Sequence, residues 1–306
     1  MLRRLFLFSP VLLAQEPIRV QVNLVNVPFS VRDAKGNWVT DLNAEDIEVL
    51  EDGVRQKVSF FSRAGDSPLS IAVVADVSGS QEEFLKDHRR DLKNFLKTVM
   101  RPKDQAMLVC FGHTIRLVSK FDRQPDQLDD ALKEYQKAKN LKHYPIIGPA
   151  EMRDNASPFY DAIVNTAREM ANETGRKAML VFSDGEDNAS ACNLMDAIET
   201  AQEAGITVFC LRYTEIKKGV WRARNKYGRS VMARIATESG GMDFDASASD
   251  DLSNEFRQIA NMLRSTYDLA YTSSLERDGS FRKVKIRTKR EGLTTRHKTG
   301  YYARTI

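Results

Sequence analysis

The run from Ile71 to Ser80 constrains this chain most. Ile71-Ala-Val-Val-Ala75 is a continuous apolar stretch, and Asp76-Val-Ser78-Gly-Ser80 follows it directly. A strand that alternates has one wet face, whereas an unbroken apolar strand is covered on both faces, as in a parallel sheet flanked by helices. The polar tail then falls at the carboxyl end of the strand, where open α/β sheets bind their ligands. One carboxylate and two hydroxyls at alternate positions make a set of hard oxygen donors. Such donors suit Mg²⁺, with Mn²⁺ as an alternative.

The pattern on either side supports a doubly wound, mostly parallel α/β domain. Apolar strand-like runs cover 71–75, 106–111, 115–121, 177–182 and 206–211. Between and after them lie segments with helical periodicity: 82–100, 128–135, 159–170, 194–204, 231–238 and 252–263. Strands alternating with helices of ten or more residues predict this architecture. The helix over 82–100 places Leu85, Leu92, Phe95, Leu96 and Val99 on one face, and His88 is read as a solvated residue on its charged side. At 306 residues the chain has room for a second unit. Residues 18–62 and 268–306 both show the period-two alternation of half-buried strands, as in Ile18, Val20 and Val22 or Val284 and Ile286. Each segment is too short to bury a core alone. The expectation is a smaller β-sandwich made by the two segments pairing, with the α/β domain inserted between them. The expected layout is residues 1–14 as a signal peptide, 15–66 and 267–306 as the β segments, and 67–266 as the α/β domain.

The signal peptide rests on the order basic, apolar, polar in Met1-Leu-Arg3-Arg4, Leu5 to Leu13 and Ala14-Gln15-Glu16. It points to a secreted or periplasmic protein with no transmembrane helix in the mature chain. A net charge of +4 gives no basis for nucleic-acid binding. Cys110, Cys192 and Cys210 form no C-x-x-C pair, and the first and last lie in apolar runs, so free buried thiols are expected. Motifs for nucleophilic, zinc-peptidase or phosphate-binding chemistry are missing from the sequence, and an enzyme is not expected.

Two further pieces of sequence give the Asp-x-Ser-x-Ser run a specific meaning. One is Ala156-Ser157-Pro-Phe-Tyr160-Asp161-Ala-Ile163, leading into a helix; the other is Leu180-Val-Phe-Ser183-Asp184-Gly185, closing a strand. Together the three resemble the metal-ion-dependent adhesion site of von Willebrand factor type A domains, over about residues 69–265. The resemblance implies that Ser78 and Ser80 bind the cation directly and that Ser157 does so directly or through water. Asp76 and Asp184 would act directly or as acceptors behind the first ring of ligands. Ser157 stands where the family carries Thr, which keeps the hydroxyl and loses the stiffness of β-branching. The implied function is a metal-dependent adhesion or interaction module whose ion takes an exposed Asp or Glu of a protein partner. The family's strand order puts two strands between those of Cys110 and Cys210. The whole layout, including Val25-Asn-Val-Pro28, Glu51-Asp-Gly53 and the closing Gly300-Tyr-Tyr302, is similar to a group of secreted bacterial proteins related to this family.

Three other features bear on that reading. Trp221, Arg222, Arg224 and Tyr227 lie in a basic stretch with interleaved aromatics after the strand 206–211, on the edge expected to carry the ion, and would contact an acidic partner. Residues 140–155 are expected on the same edge. Glu186 and Asp187 are read as solvated. The rival functions are a metal-dependent hydrolase using Asp76 and Asp184, and a structural envelope protein with a vestigial site.

Overall fold

A computed structural model describes residues 24–63, 67–149, 156–214, 223–248 and 251–304. The expected signal peptide and the strand expected around Ile18 to Val22 lie outside the described residues. The described residues begin with five short strands: β1 (Leu24–Asn26), β2 (Phe29–Arg32), β3 (Ile47–Glu51), β4 (Val54–Gln56) and β5 (Val58–Ser62). β3 and β4 form a hairpin whose turn residues Asp52 and Gly53 both have positive φ, 48° and 84°. That is the backbone which a two-residue turn needs to match the twist of its strands, and Asp-Gly supplies it at low cost.

The α/β body follows as β6 (Leu69–Asp76), α1 (Leu85–Val99), β7 (Gln105–Phe111), β8 (Ile115–Asp122), α2 (Pro125–Lys137), α3 (Phe159–Glu169), β9 (Arg176–Ser183), α4 (Leu194–Glu203), β10 (Ile206–Arg212), α5 (Ala223–Ser239), β11 (Asp243–Asp245) and α6 (Ser253–Ser265). Its six-stranded sheet has the order β11-β10-β9-β6-β7-β8, parallel except for β8. All eight residues of β6 are buried, as an unbroken apolar run requires. Alternate side chains feed two cores. Ile71, Val73 and Ala75 pack with residues of α1, α2 and α6, while Ala72 and Val74 pack with residues of α3, α4 and α5. Strand order reverses about β6, so its carboxyl end is the switch point of the sheet, where crossovers leave in opposite directions and open a crevice. β6 and β9 separate Cys110 on β7 from Cys210 on β10, and all three cysteines are free.

The last strands are β12 (Asp268–Thr272), β13 (Phe281–Thr288), β14 (Thr294–His297) and β15 (Gly300–Tyr302). They interleave with the first five in antiparallel sheets ordered β1-β12-β5, β15-β13-β3-β4 and β14-β2. β13 alternates buried Val284 and Ile286 with exposed Lys283, Lys285 and Arg287, the pattern of a sheet with one wet face. Val25, Phe29, Val49, Tyr267, Leu269, Tyr271, Val284 and Ile286 share one core drawn from both ends of the chain. Tyr267 fastens it, with its hydroxyl donating to the Val39 carbonyl and accepting from the Leu42 amide, each at 3.0 Å.

These sheets attach to the amino ends of the central strands. Arg176, at the start of β9, donates to Asp268 at the start of β12 (3.1 Å). Lys298 donates to the Gln202 carbonyl at the end of α4 (3.0 Å), and the Thr299 amide to the Glu238 carbonyl at the end of α5 (3.0 Å). Helices that cross over in a parallel sheet run against the strands, so the carboxyl ends of α4 and α5 lie at the same foot. The carboxyl ends of β6 and β9 therefore face away from the terminal sheets.

Candidate metal and partner-binding site

The first loop starts where β6 stops. Asp76 is fully buried, and the Val77 amide still donates to Phe111 on β7 (2.8 Å). The chain then turns back because the Ser78 amide donates to Asp76 Oδ1 (2.9 Å), a local carboxylate turn. A short 3₁₀ turn over Gly79–Phe84 follows and brings the Ser78 and Ser80 Oγ atoms to 3.3 Å. Asp76 Oδ2 accepts from the Ser183 hydroxyl at the end of β9 (2.7 Å), and this same Oγ accepts from the Gly185 amide (3.0 Å).

Asp184, also buried, is held from two sides. Its Oδ1 accepts from the Glu186 amide (2.9 Å) and its Oδ2 from Gln81 Nε2 (3.0 Å). Gly185 has φ 75°, and a Cβ there would meet the Gly228 carbonyl oxygen at 2.6 Å. A Cβ on Gly228 would fall 2.2 Å from the Asp184 carbonyl oxygen. These two glycines let the start of α5 press its backbone against the Asp184 loop.

Ser157 lies two residues before α3, with Pro158 between. Its amide donates to Asn188 Oδ1 (2.8 Å) and its hydroxyl to the Glu186 carbonyl (3.1 Å). Asp161 accepts from the Ala191 and Cys192 amides, both at 2.9 Å, and bolts the third loop to the head of α3. Asp76, Ser78, Ser80 and Asp184 thus belong to one hydrogen-bonded cluster spanning the first and third loops, and Ser157 joins it through Glu186.

Two acidic side chains are buried here without a basic partner. Burial first, and the negative charge of Asp184 second, push the Asp76 carboxyl up to about 7. Among the described residues neither Asp76 nor Asp184 has an ion-pair partner; their donors are amides and hydroxyls. Among the described residues no group of three or more His, Cys, Asp or Glu is arranged to hold a metal. The candidate set differs in kind, with two carboxylates and three hydroxyls. An all-oxygen set with uncompensated negative charge fits a hard divalent cation and does not fit zinc. Oxygens about 3 Å apart are what adjacent ligands of Mg²⁺ present, given Mg–O distances of about 2.1 Å.

Two expectations are corrected. His88 is fully buried, stacked on Phe182 (ring centroids 5.6 Å) and edge-on to Tyr213 (4.4 Å). It follows Leu85 by three positions and precedes Leu92 by four, so helical spacing puts it on the apolar face despite its polarity. Burial lowers its pKa to about 3, opposed slightly by the Asp76 backbone. Among the described residues neither ring nitrogen makes a well-formed hydrogen bond, the contact with the Asp76 backbone being a weaker one. Asp187 is half-buried and hydrogen-bonded rather than freely solvated. It accepts from the Tyr160 amide (3.3 Å) and the Ser190 hydroxyl, bracing the third loop, and burial raises its pKa.

Of the proposed partner contacts, Trp221 and Arg222 lie outside the described residues and Arg224 falls in the first turn of α5. Tyr227 is 57% exposed, and its hydroxyl lies 3.3 Å from that of Tyr160, three residues after Ser157. The loop after α2 is tied to β8 by Arg116, which donates to the Leu141 (2.9 Å) and Tyr144 (2.7 Å) carbonyls, and leaves Ile146 exposed. Gln81, Ser183 and Gly228 were not anticipated from sequence. The nearest signal was their position, directly after Ser80, directly before Asp184 and inside the basic aromatic stretch.

The fold is a doubly wound α/β domain with a buried polar cluster at the carboxyl ends of its central strands. A family model, the von Willebrand factor type A domain, matches residues 70–258, and the chain belongs to this family, whose domains mediate protein interactions. No curated protein matches the sequence. Solved structures with a similar fold include an aerotolerance-related membrane protein from Bacteroides fragilis (16% identity, 64% of this chain and 98% of that one, TM-score 0.46). BatB from Bacteroides thetaiotaomicron is similar at 13% identity, with the same coverage and a TM-score of 0.48. The pilus adhesin SpaC from Lactobacillus rhamnosus GG is similar at 11% identity over 90% of this chain and 47% of that one, with a TM-score of 0.46. These likenesses concern the fold alone.

Proposed function

We propose that the chain is a secreted protein-interaction module that takes an acidic side chain of its partner through a Mg²⁺ or Mn²⁺ ion. The observation that carries this is the pair of buried carboxylates, Asp76 and Asp184, set beside the hydroxyls of Ser78 and Ser80 with no basic residue paired to either among the described residues. Ser78, Ser80 and Ser157 would hold the ion, and Asp76 and Asp184 would orient them while leaving part of the positive charge unneutralised. When bound, the ion supplies an open position for a carboxylate. Exposed Tyr227, and the basic and aromatic character of the sequence carrying Trp221, Arg222 and Arg224, would favour an acidic partner. Export rests on the sequence of residues 1–14. Among the described residues no helix is long and apolar enough to cross a membrane.

Calorimetry on the mature chain tests the reading. One Mg²⁺ or Mn²⁺ per chain is expected, with binding lost when Asp76 and Ser78 are both changed to Ala and the circular dichroism spectrum kept. Equal affinity in that variant would refute the site. The partner is sought by capture from the exported fraction with and without a chelator, and capture indifferent to chelation would refute the ion's role.

A further inference from the structure

Gln81 follows the Asp-x-Ser-x-Ser run and is completely buried. Its Nε2 faces three acceptors from three parts of the chain. These are Asp184 Oδ2 at 3.0 Å, the Tyr213 carbonyl at 3.2 Å and the Ser80 carbonyl at 3.4 Å. None of the three can donate, so the amide's nitrogen end must face them. The orientation is fixed by chemistry even where oxygen and nitrogen look alike. The opposite end of the amide, Oε1, is buried and has no partner.

An unsatisfied buried carbonyl costs stability, and an apolar side chain of similar length would avoid that cost. Packing alone therefore does not explain a glutamine here. What the amide does, and an apolar residue would not, is hold the Asp184 carboxylate to the first loop and to the end of β10. It does so without bringing in a positive charge. A Lys or Arg in this place would neutralise Asp184 and compete with a cation; a Glu would repel it.

We infer that Gln81 is a positioning residue of the ion site, a neutral donor that fixes Asp184 against the first loop while leaving the site's negative charge for the cation. The inference rests on the ion-binding reading above. Removing a residue that orients a metal ligand lowers metal affinity by roughly ten- to a hundredfold.

The test measures Mn²⁺ affinity in four proteins: the mature chain, Gln81→Met, Asp184→Asn and the double variant. Urea unfolding of each is followed without metal. Gln81→Met should lose at least about tenfold in affinity, while its metal-free unfolding midpoint falls because the buried Asp184 Oδ2 is left without its donor; the affinity is therefore read at a temperature where each variant is fully folded. The double variant should bind no more weakly than Asp184→Asn, because Gln81 acts through Asp184. Should Gln81→Met not fold, Gln81→Asn withdraws the amide by one methylene and should show the same loss. If the unaltered chain binds Mn²⁺ and the Gln81 variant binds it equally well, or if the two losses simply add, Gln81 is not the positioning residue and the ion site stands. If the unaltered chain binds no Mn²⁺, both readings fall together.

Discussion

The two ends of the central sheet treat buried carboxylates in opposite ways. At the foot, Asp104 is completely buried, accepts from the Leu69 (3.0 Å) and Arg101 (2.8 Å) amides and is paired with Arg264. Asp268 is paired with Arg176, whose Nη1 also donates to the Leu263 carbonyl (2.7 Å). At the top, Asp76 and Asp184 meet only neutral donors among the described residues. The foot supplies its own counter-charge in permanent joints: Asp104–Arg264 ties the start of β7 to α6, and Asp268–Arg176 ties the terminal sheets to the α/β body. Among the described residues the top supplies none to Asp76 or Asp184, its Arg212–Asp245 pair lying at the ends of β10 and β11, and a buried charge without compensation is costly. That contrast is the physical reason for placing a cation there.

The most severe way to break the comparison is to remove part of the foot. Deleting residues 267–306 takes away Asp268 and every pairing partner of β1, β2, β3 and β5 apart from β4. Uncovered edges and a split core should make the remainder aggregate. Deleting residues 15–66 as well should restore a soluble domain, and solubility of the truncations decides the matter. A milder change is Arg264→Met, which leaves Asp104 buried and unpaired and should cost about 3–5 kcal/mol in urea unfolding. The matching change at the top, Asp184→Asn in metal-free protein, should cost nothing or stabilise, because it relieves repulsion with Asp76. A comparable loss at both ends would erase the distinction.

His88 gives a smaller effect, resolved by pH. Its folded pKa is about 3 and its ordinary value 6.5, so the unfolded chain takes up a proton between those limits and the folded chain does not. This contribution is fully present above pH 6.5 and is lost as pH falls towards 3, at about 1.4 kcal/mol per pH unit. Between pH 6.5 and 5, His88→Phe should gain about 2 kcal/mol relative to the unaltered chain. Parallel pH curves for the two proteins would mean that His88 is not buried as described.

Much of this was legible in the residues. The unbroken apolar run predicted a strand covered on both faces, and the alternation of Val284 and Ile286 predicted a sheet wet on one. Asp76, Ser78 and Ser80 could be read together because the strand that carries them ends there. His88 was misread because polarity was weighed above helical spacing. Ser183 and Gln81 were invisible for a different reason. Their roles depend on which strand lies beside β6 and on how the 3₁₀ turn over Gly79–Phe84 aims a side chain, and neither is periodic in sequence. Gly228 acquires its role only when α5 packs on the Asp184 loop.

The most direct measurement is the thermal unfolding midpoint of the mature chain against Mg²⁺ concentration, beside Asp184→Asn. An ion bound only by the folded state stabilises by RT ln(1 + [Mg²⁺]/Kd), so the midpoint should climb steadily once Mg²⁺ exceeds the dissociation constant. Asp184→Asn should start at an equal or higher midpoint without metal and climb far less. A midpoint that stays level with Mg²⁺ and Mn²⁺ in the unaltered chain, or climbs identically in both proteins, would contradict a cation at the top of the sheet.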